Sequence, residues 1–345
     1  MNQYLSDKIK ILSFFSIILV LYIHSGFHDY PHEILGMKIN HILQYTISGI
    51  LGQCAVPIFY IISGYLFFLN TDKGIICIIK KIRKRIKTLF IPFIIACLFF
   101  PIFYLFLELI PVTDKYINSQ NFSNNFRQPI LIILQSIFYK TPSGDSPWAF
   151  QLWFLRDLII IVLSSPILFY LKQIFRKEYI IILLYLISIL PYNYFPITAC
   201  FWFMLGDAYL SKFQQLKLKW MLPLLIFFSI LELYTDTSFL ITPIKLIGVI
   251  CVWNLYDYII PQTFKLAEHS FLQLLCGYTF FIYLYHEPTL NIIRKLIVVI
   301  CGHTSLGFAL SYLISPWIFS ICAILIGSYL KKKIPFFYSI IVGGR

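Results

Sequence analysis

Charge is scarce in this sequence, and acid is scarcer than base. Asp, Glu, Lys and Arg make up 12% of its 345 residues, 15 of them acidic and 28 basic, where a soluble domain carries about 25%. So little charge argues against an ordinary water-soluble domain. With 59% hydrophobic residues and a mean hydropathy of +0.80, the chain reads as an all-α integral membrane protein. Its eight cysteines form no C-x-x-C pair and sit mostly in apolar runs, so neither a metal site nor a disulfide framework is expected. The first apolar run has no small-residue cleavage site and continues into further spans, which speaks against a cleavable signal peptide. No internal repeat is visible, and the inverted symmetry of many secondary transporters is missing with it, a weak argument against transport. No stretch reads as an attached soluble domain, so residues 1–345 are expected to form a single transmembrane domain.

What is present is a series of apolar runs. They predict ten transmembrane helices, near 9–27, 47–70, 88–111, 150–171, 179–191, 197–211, 220–236, 239–260, 271–290 and 307–330. A shorter apolar piece, 130–139, is expected on or re-entering the outer surface. The net charge of +13 resides in the connections between runs, the pattern of a lipid-embedded chain rather than of a nucleic-acid partner. With the N-terminus cytoplasmic, twenty Lys and Arg fall in inner segments and six in outer ones. That asymmetry puts both termini in the cytoplasm. The longest outer segment, 112–149, is made polar by Asp114, Asn118, Ser119, Asn121, Ser123 and Asn124 and broken by the turn-rich run Thr141 to Pro147. Its Asn121-Phe122-Ser123 sequon is read as coincidence.

Against this background the polar groups inside the runs stand out. His24 is the one titratable imidazole of the first span; Gln151, Trp153, Arg156 and Asp157 lie in the outer third of the fourth, and Lys245 in that of the eighth. Tyr283, Tyr285, His286 and Glu287 lie in the outer half of the ninth. Ionisable groups at one depth suggest a polar cavity opening outward. The competing reading is structural: His24 as an interfacial histidine, Arg156, Asp157 and Lys245 paired or snorkelling. The basic run Lys80 to Lys87, with Lys81, Arg83 and Arg85, also has two readings. It sets topology beside anionic lipid, or it clamps the phosphates of a soluble anionic co-substrate.

Several of these pieces together carry a resemblance. The first span ends Tyr22-Ile23-His24-Ser25, and Val56-Pro57-Ile58-Phe59-Tyr60-Ile61-Ile62-Ser63-Gly64-Tyr65-Leu66 follows. Then come the basic run to Pro92, Leu152-Trp153-Phe154-Leu155-Arg156, Phe203-Met204-Leu205-Gly206, and Tyr278 to Pro288 with Tyr283-Leu284-Tyr285-His286-Glu287. In that order they resemble the acyltransferase 3 family, membrane acyltransferases that include bacterial polysaccharide O-acetyltransferases, over almost the whole chain. One departure is Ser13, where the family commonly has an arginine eleven residues before the histidine; Lys8, Lys10 or the Arg83–Arg85 cluster is left to supply that charge.

The resemblance implies a multi-pass protein of the bacterial inner membrane that takes an acetyl group from cytoplasmic acetyl-CoA, a co-substrate rather than a bound cofactor. It passes the group to a lipid-linked or exported polysaccharide outside, with lipopolysaccharide O-antigen the expected acceptor. His24 matches the family histidine. It would act as general base towards a sugar hydroxyl, for which an imidazole is suited, or carry the acyl group transiently. Tyr65, Arg156 and His286 are the candidates to steady the oxyanion. Arg83, Arg85, Lys81 and Lys10 are those for the donor's phosphates, and Ser63, Trp153, Asp157 and Tyr283 those for the acceptor. Two rivals use the same residues without chemistry: a transporter or flippase for an anionic glycolipid or acyl group, and a membrane scaffold.

Overall fold

The computed structural model describes residues 1–26, 35–71, 74–110, 125–142, 144, 146–190, 195–235 and 240–344. The polar run Asp114 to Asn124 with its Asn121-Phe122-Ser123 sequon, and Lys73, Lys115, Ser143, Asp145 and Arg345, lie outside the described residues. So do the ends of several expected spans. The structure is 84% helix, and no strand occurs among the described residues.

The chain runs through α1 (Gln3–Ser25), α2 (Leu35–Gln44), α3 (Ala55–Phe68), α4 (Ile75–Arg85), α5 (Ile91–Glu108), α6 (Ile130–Phe138), α7 (Trp153–Ile174) and α8 (Lys177–Ser188). It continues through α9 (Ile197–Tyr209), α10 (Leu218–Thr235), α11 (Ile241–Ile259), α12 (Ser270–Gly277), α13 (Thr279–Tyr285), α14 (Thr289–Cys301), α15 (Ser305–Lys333) and α16 (Pro335–Ile341). Among the described residues, five helical runs are long and apolar enough to cross a membrane: Gln3–Ser25, Asn40–Phe68, Ile75–Glu108, Phe150–Ile174 and Ser305–Lys333. A hydrocarbon core of about 30 Å needs about 20 residues of helix. π-helical turns at Tyr45–Leu51 and Ile86–Phe90 carry two of these runs past the length of their α-helical parts. The other five expected spans hold α8 through α13, none longer than 19 residues. Local chemistry sets the ends. Asn2 caps α1 by accepting from the Leu5 N–H (2.9 Å), and Thr304 caps α15 by accepting from the Gly307 N–H (3.1 Å). Lys331, Lys332 and Lys333 fill the last turn of α15, at the negative end of its dipole.

Two compact units are present, residues 1–81 with 163–279 and residues 82–162 with 280–345. In the first, α3 and α9 pack backbone to backbone. A Cβ on Gly64 would lie 1.8 Å from the Phe203 carbonyl oxygen, and one on Gly206 would lie 1.9 Å from that of Ile61. Only glycine permits so close an approach, the device by which membrane helices associate. Phe67 and Phe68 both meet the Phe203 ring at 5.8 Å. Gly64→Ala should therefore force the helices apart at a cost of about 1–3 kcal/mol. Gly277→Ala, which meets nothing within 4 Å, should change stability little. Thermal unfolding in detergent compares the two.

In the second unit α14 and α15 pack side by side, and the Ser311 hydroxyl donates to the Arg294 carbonyl (2.7 Å). Gly343, just beyond α16, has φ +67° and lies where a Cβ would strike the Thr88 backbone at 2.5 Å. Both its conformation and its contact require glycine.

Candidate active site

In the first unit His24 occupies the last turn of α1, half-buried, two residues before Gly26 ends the helix. Ser25 beside it is buried and donates to the Leu21 carbonyl (2.8 Å). Ser63 and Tyr65 flank Gly64 on α3, and both are half-buried. Two residues apart on a helix, they point in different directions, so the structure does not bring them to one face.

The basic candidates fall into unlike settings. Lys10 is half-exposed and pairs with Asp7 at 3.5 Å. The Lys81 ammonium donates to the carbonyls of Phe67 and Leu69 at the end of α3. There it satisfies helix-terminal acceptors that would otherwise be orphaned. Arg83 is exposed and Arg85 half-buried on α4.

Two ion pairs in this unit lie beyond what the depth of polar residues suggests. Lys8 is fully buried and pairs with Asp257 at 2.6 Å. Its ammonium stands 4.0 Å from the centre of the Trp253 ring, and the Tyr4 hydroxyl donates to the same carboxylate (2.8 Å). Next to it, Asp7 accepts from the Leu266 N–H (3.1 Å) and from the Gln3 amide (2.8 Å). Lys172 pairs with Asp207 while lying 3.9 Å over the Phe68 ring. The readable signal for each was a carboxylate inside an apolar run, Asp257 in α11 and Asp207 in α9.

In the second unit Trp153, Arg156 and Asp157 share a face of α7 by their spacing of three and four. Trp153 is 38% exposed. Arg156 donates from Nε to the Asp157 carboxylate (2.8 Å) and from Nη1 to the Tyr139 carbonyl (2.7 Å). Its guanidinium thus ties α7 to the residue that ends α6. The same unit holds a buried polar knot. Tyr283 donates its hydroxyl to the Gln151 carbonyl (3.2 Å) and meets Phe154 edge-on at 5.7 Å. The Gln151 side chain donates to the Glu287 carbonyl (3.3 Å).

His286, 0% exposed, places Nδ1 2.8 Å from the Tyr283 carbonyl oxygen. A carbonyl only accepts, so Nδ1 carries the proton, and in the neutral ring Nε2 is the basic nitrogen. The contact fixes ring and tautomer together. Of the second unit's candidates, Tyr283 and His286 therefore join one network through Gln151 and Glu287, and Arg156 and Asp157 join each other. Gln151 and Glu287 are the members that sequence depth flagged without assigning a role.

The first unit thus presents an imidazole, His24, on a helix apolar enough to cross a membrane, and the second a buried one, His286, in the short break between α13 and α14. A glycine contact between α3 and α9 joins two of the motif segments, and the edge-on contact of Phe154 with Tyr283 joins two more. We found no match to the chain among curated proteins or among solved structures. A family model described as an acyltransferase domain does match, over residues 7–332, from the turn that holds Asp7 and Lys8 to the lysine cluster closing α15. With its helices, its motifs and nearly its full length accounted for by that model, the chain belongs to the acyltransferase 3 family and is a membrane acyltransferase.

Proposed function

We propose that this protein is an O-acetyltransferase of the bacterial inner membrane. It moves an acetyl group from cytoplasmic acetyl-CoA to a sugar hydroxyl of a surface polysaccharide, lipopolysaccharide O-antigen, on the extracytoplasmic side. The observation that carries the reading is the family match over residues 7–332 together with His24 on a helix apolar enough to cross the membrane. The excess of Lys and Arg in alternate connections supports ten spans with both termini inside.

Chemically, the sugar hydroxyl gives its proton to His24 as its oxygen attacks the acetyl carbonyl. Collapse breaks the carbon–sulfur bond, and the coenzyme thiolate leaves and takes that proton. In the variant with an intermediate, the imidazole holds the acetyl group between the two half-reactions. Tyr65, carried by the same unit, is a hydroxyl donor for the oxyanion. Arg156 and His286 are tested in that role separately, and Trp153, Asp157, Tyr283 and Ser63 as acceptor contacts.

Arg83 and Arg85 are the proposed partners of the coenzyme's phosphates, with Lys10 and Lys81 beside them in the assignment. Neutralising Arg83 and Arg85 together should weaken use of acetyl-CoA far more than use of the polysaccharide. Charge-assisted hydrogen bonds are worth roughly 1.5–3 kcal/mol each, so the apparent affinity should fall by tenfold or more. Purified protein given radiolabelled acetyl-CoA and O-antigen provides the assay: label should appear in the glycan and free coenzyme A should accumulate. Binding or movement of the glycolipid with no coenzyme A release would instead mark a transporter.

A further inference from the structure

The second unit contains a cavity of about 250 Å³, open along one side, that the acyltransferase reading leaves unused. Its wall is built on α15, where Phe319, Ala323, Ile326 and Leu330 contribute, and it is completed by Phe99 from α5 and Phe337 from α16. The α15 residues are spaced by three and four, so they form one stripe along the helix. From Phe319 to Leu330 that stripe runs roughly 16 Å, about half of a ~30 Å hydrocarbon core and so about one leaflet deep. Lys333 continues the same stripe three residues beyond Leu330, flanked by Lys331 and Lys332, and all three are exposed.

We infer that this groove and its lysine end form a binding site for an anionic glycerophospholipid of the surrounding membrane. Three observations select that occupant. Helix α15 is among those apolar enough to cross a bilayer, so what lies against its open side is lipid. The cavity is smaller than the ~300–1,000 Å³ of sites that enclose a drug-sized ligand, and its lining is mostly apolar, with Tyr285, Thr289 and Cys322 its few polar members, which suits part of one acyl chain. The stripe ends in a cation, Lys333, at the length where such a chain meets its headgroup, with Lys331 and Lys332 in the same turn, and basic residues at a helix end attract anionic headgroups. A neutral or zwitterionic lipid fits the groove equally well but leaves the lysines without a net negative partner.

The test uses the full chain, delipidated in detergent and offered phosphatidylglycerol and phosphatidylcholine with identical acyl chains. Retained lipid is counted by native mass spectrometry. The wild-type protein should keep phosphatidylglycerol about tenfold better than phosphatidylcholine. The triple variant Lys331→Gln, Lys332→Gln, Lys333→Gln should lose the preference while still holding either lipid weakly. Ala323→Trp, which fills the groove, should lose both. Ile326→Trp, at a position 55% exposed on the groove rim, repeats that arm without burying a ring in the helix contact. Retention of phosphatidylglycerol by both groove-filled variants, or an undiminished preference after removal of the three charges, would overturn the site. So would equal retention of the two lipids by the wild type. None of these readouts depends on acetyl transfer, so the lipid site and the proposed reaction stand or fall separately.

Discussion

His24→Ala should leave the protein inserted in the membrane at normal abundance and the glycan without acetyl groups. The side chain lies half-buried in the last turn of α1 and makes no part of the glycine contact that locks α3 to α9. Removing it therefore should not dismantle the first unit. Loss of a positioned general base costs about 10²–10⁴-fold in rate, and loss of a covalent carrier abolishes turnover. His24→Gln separates chemistry from packing. Glutamine matches the imidazole in reach and hydrogen bonding but cannot accept and return a proton near neutral pH, so it should be as inactive as alanine. Mass spectrometry of surface glycans, paired with membrane abundance of each variant, reads both. Normal acetylation by either variant removes His24 from the mechanism.

The second large effect concerns stability, at the Lys8–Asp257 pair. Breaking a buried ion pair by deleting one partner costs about 3–5 kcal/mol because the survivor is left charged and desolvated. The two halves are not equivalent. The Lys8 side chain is 0% exposed and that of Asp257 is 27% exposed, so an orphaned ammonium has less recourse to solvent than an orphaned carboxylate. Tyr4 would still donate to Asp257 after loss of Lys8, whereas the Trp253 face is the smaller compensation left to Lys8. Asp257→Leu should therefore lower the unfolding midpoint in detergent more than Lys8→Met, and the double variant should recover a large part of the loss. A double variant as unstable as the sum of its parts would show that the pair contributes nothing as a pair.

Much of the fold was written in local pattern. Apolar runs of about 20 residues mark the long helices directly, because the bilayer fixes their length. The motif around Ser63, Gly64 and Tyr65 was visible too, but its reason was not. The glycine matters because it faces the Phe203 backbone, some 140 residues along the chain, and only the structure supplies that partner. Depth along a helix can be counted from sequence, whereas the direction in which a side chain points cannot be known until neighbours are placed. Depth alone singled out Arg156 and Asp157, and the structure adds that they pair with each other and that Arg156 also reaches the Tyr139 carbonyl. Lys81 and Arg83 sit in one basic run, but two helical positions apart they diverge, one onto the end of α3 and the other into the open. Lys8 reads as one more charge ahead of the first span, and its partner lies 249 residues away. Asp257 stands out inside its apolar run, but nothing local tells which residue pairs with it.

Acetyl-CoA carries phosphates that cannot cross hydrocarbon unaided, while the proposed acceptor lies outside. Either the coenzyme's arm enters from the Arg83 surface, or the acetyl group crosses alone on the protein; both require the donor and acceptor openings to face opposite sides. Sealed vesicles of known orientation decide this most directly, with labelled acetyl-CoA supplied to one face and O-antigen held on the other. Donor on the Arg83 side should label acceptor on the Pro147 side, and donor confined to the Pro147 side should give none. Efficient transfer with donor and acceptor both confined to the Arg83 side would contradict the transmembrane route.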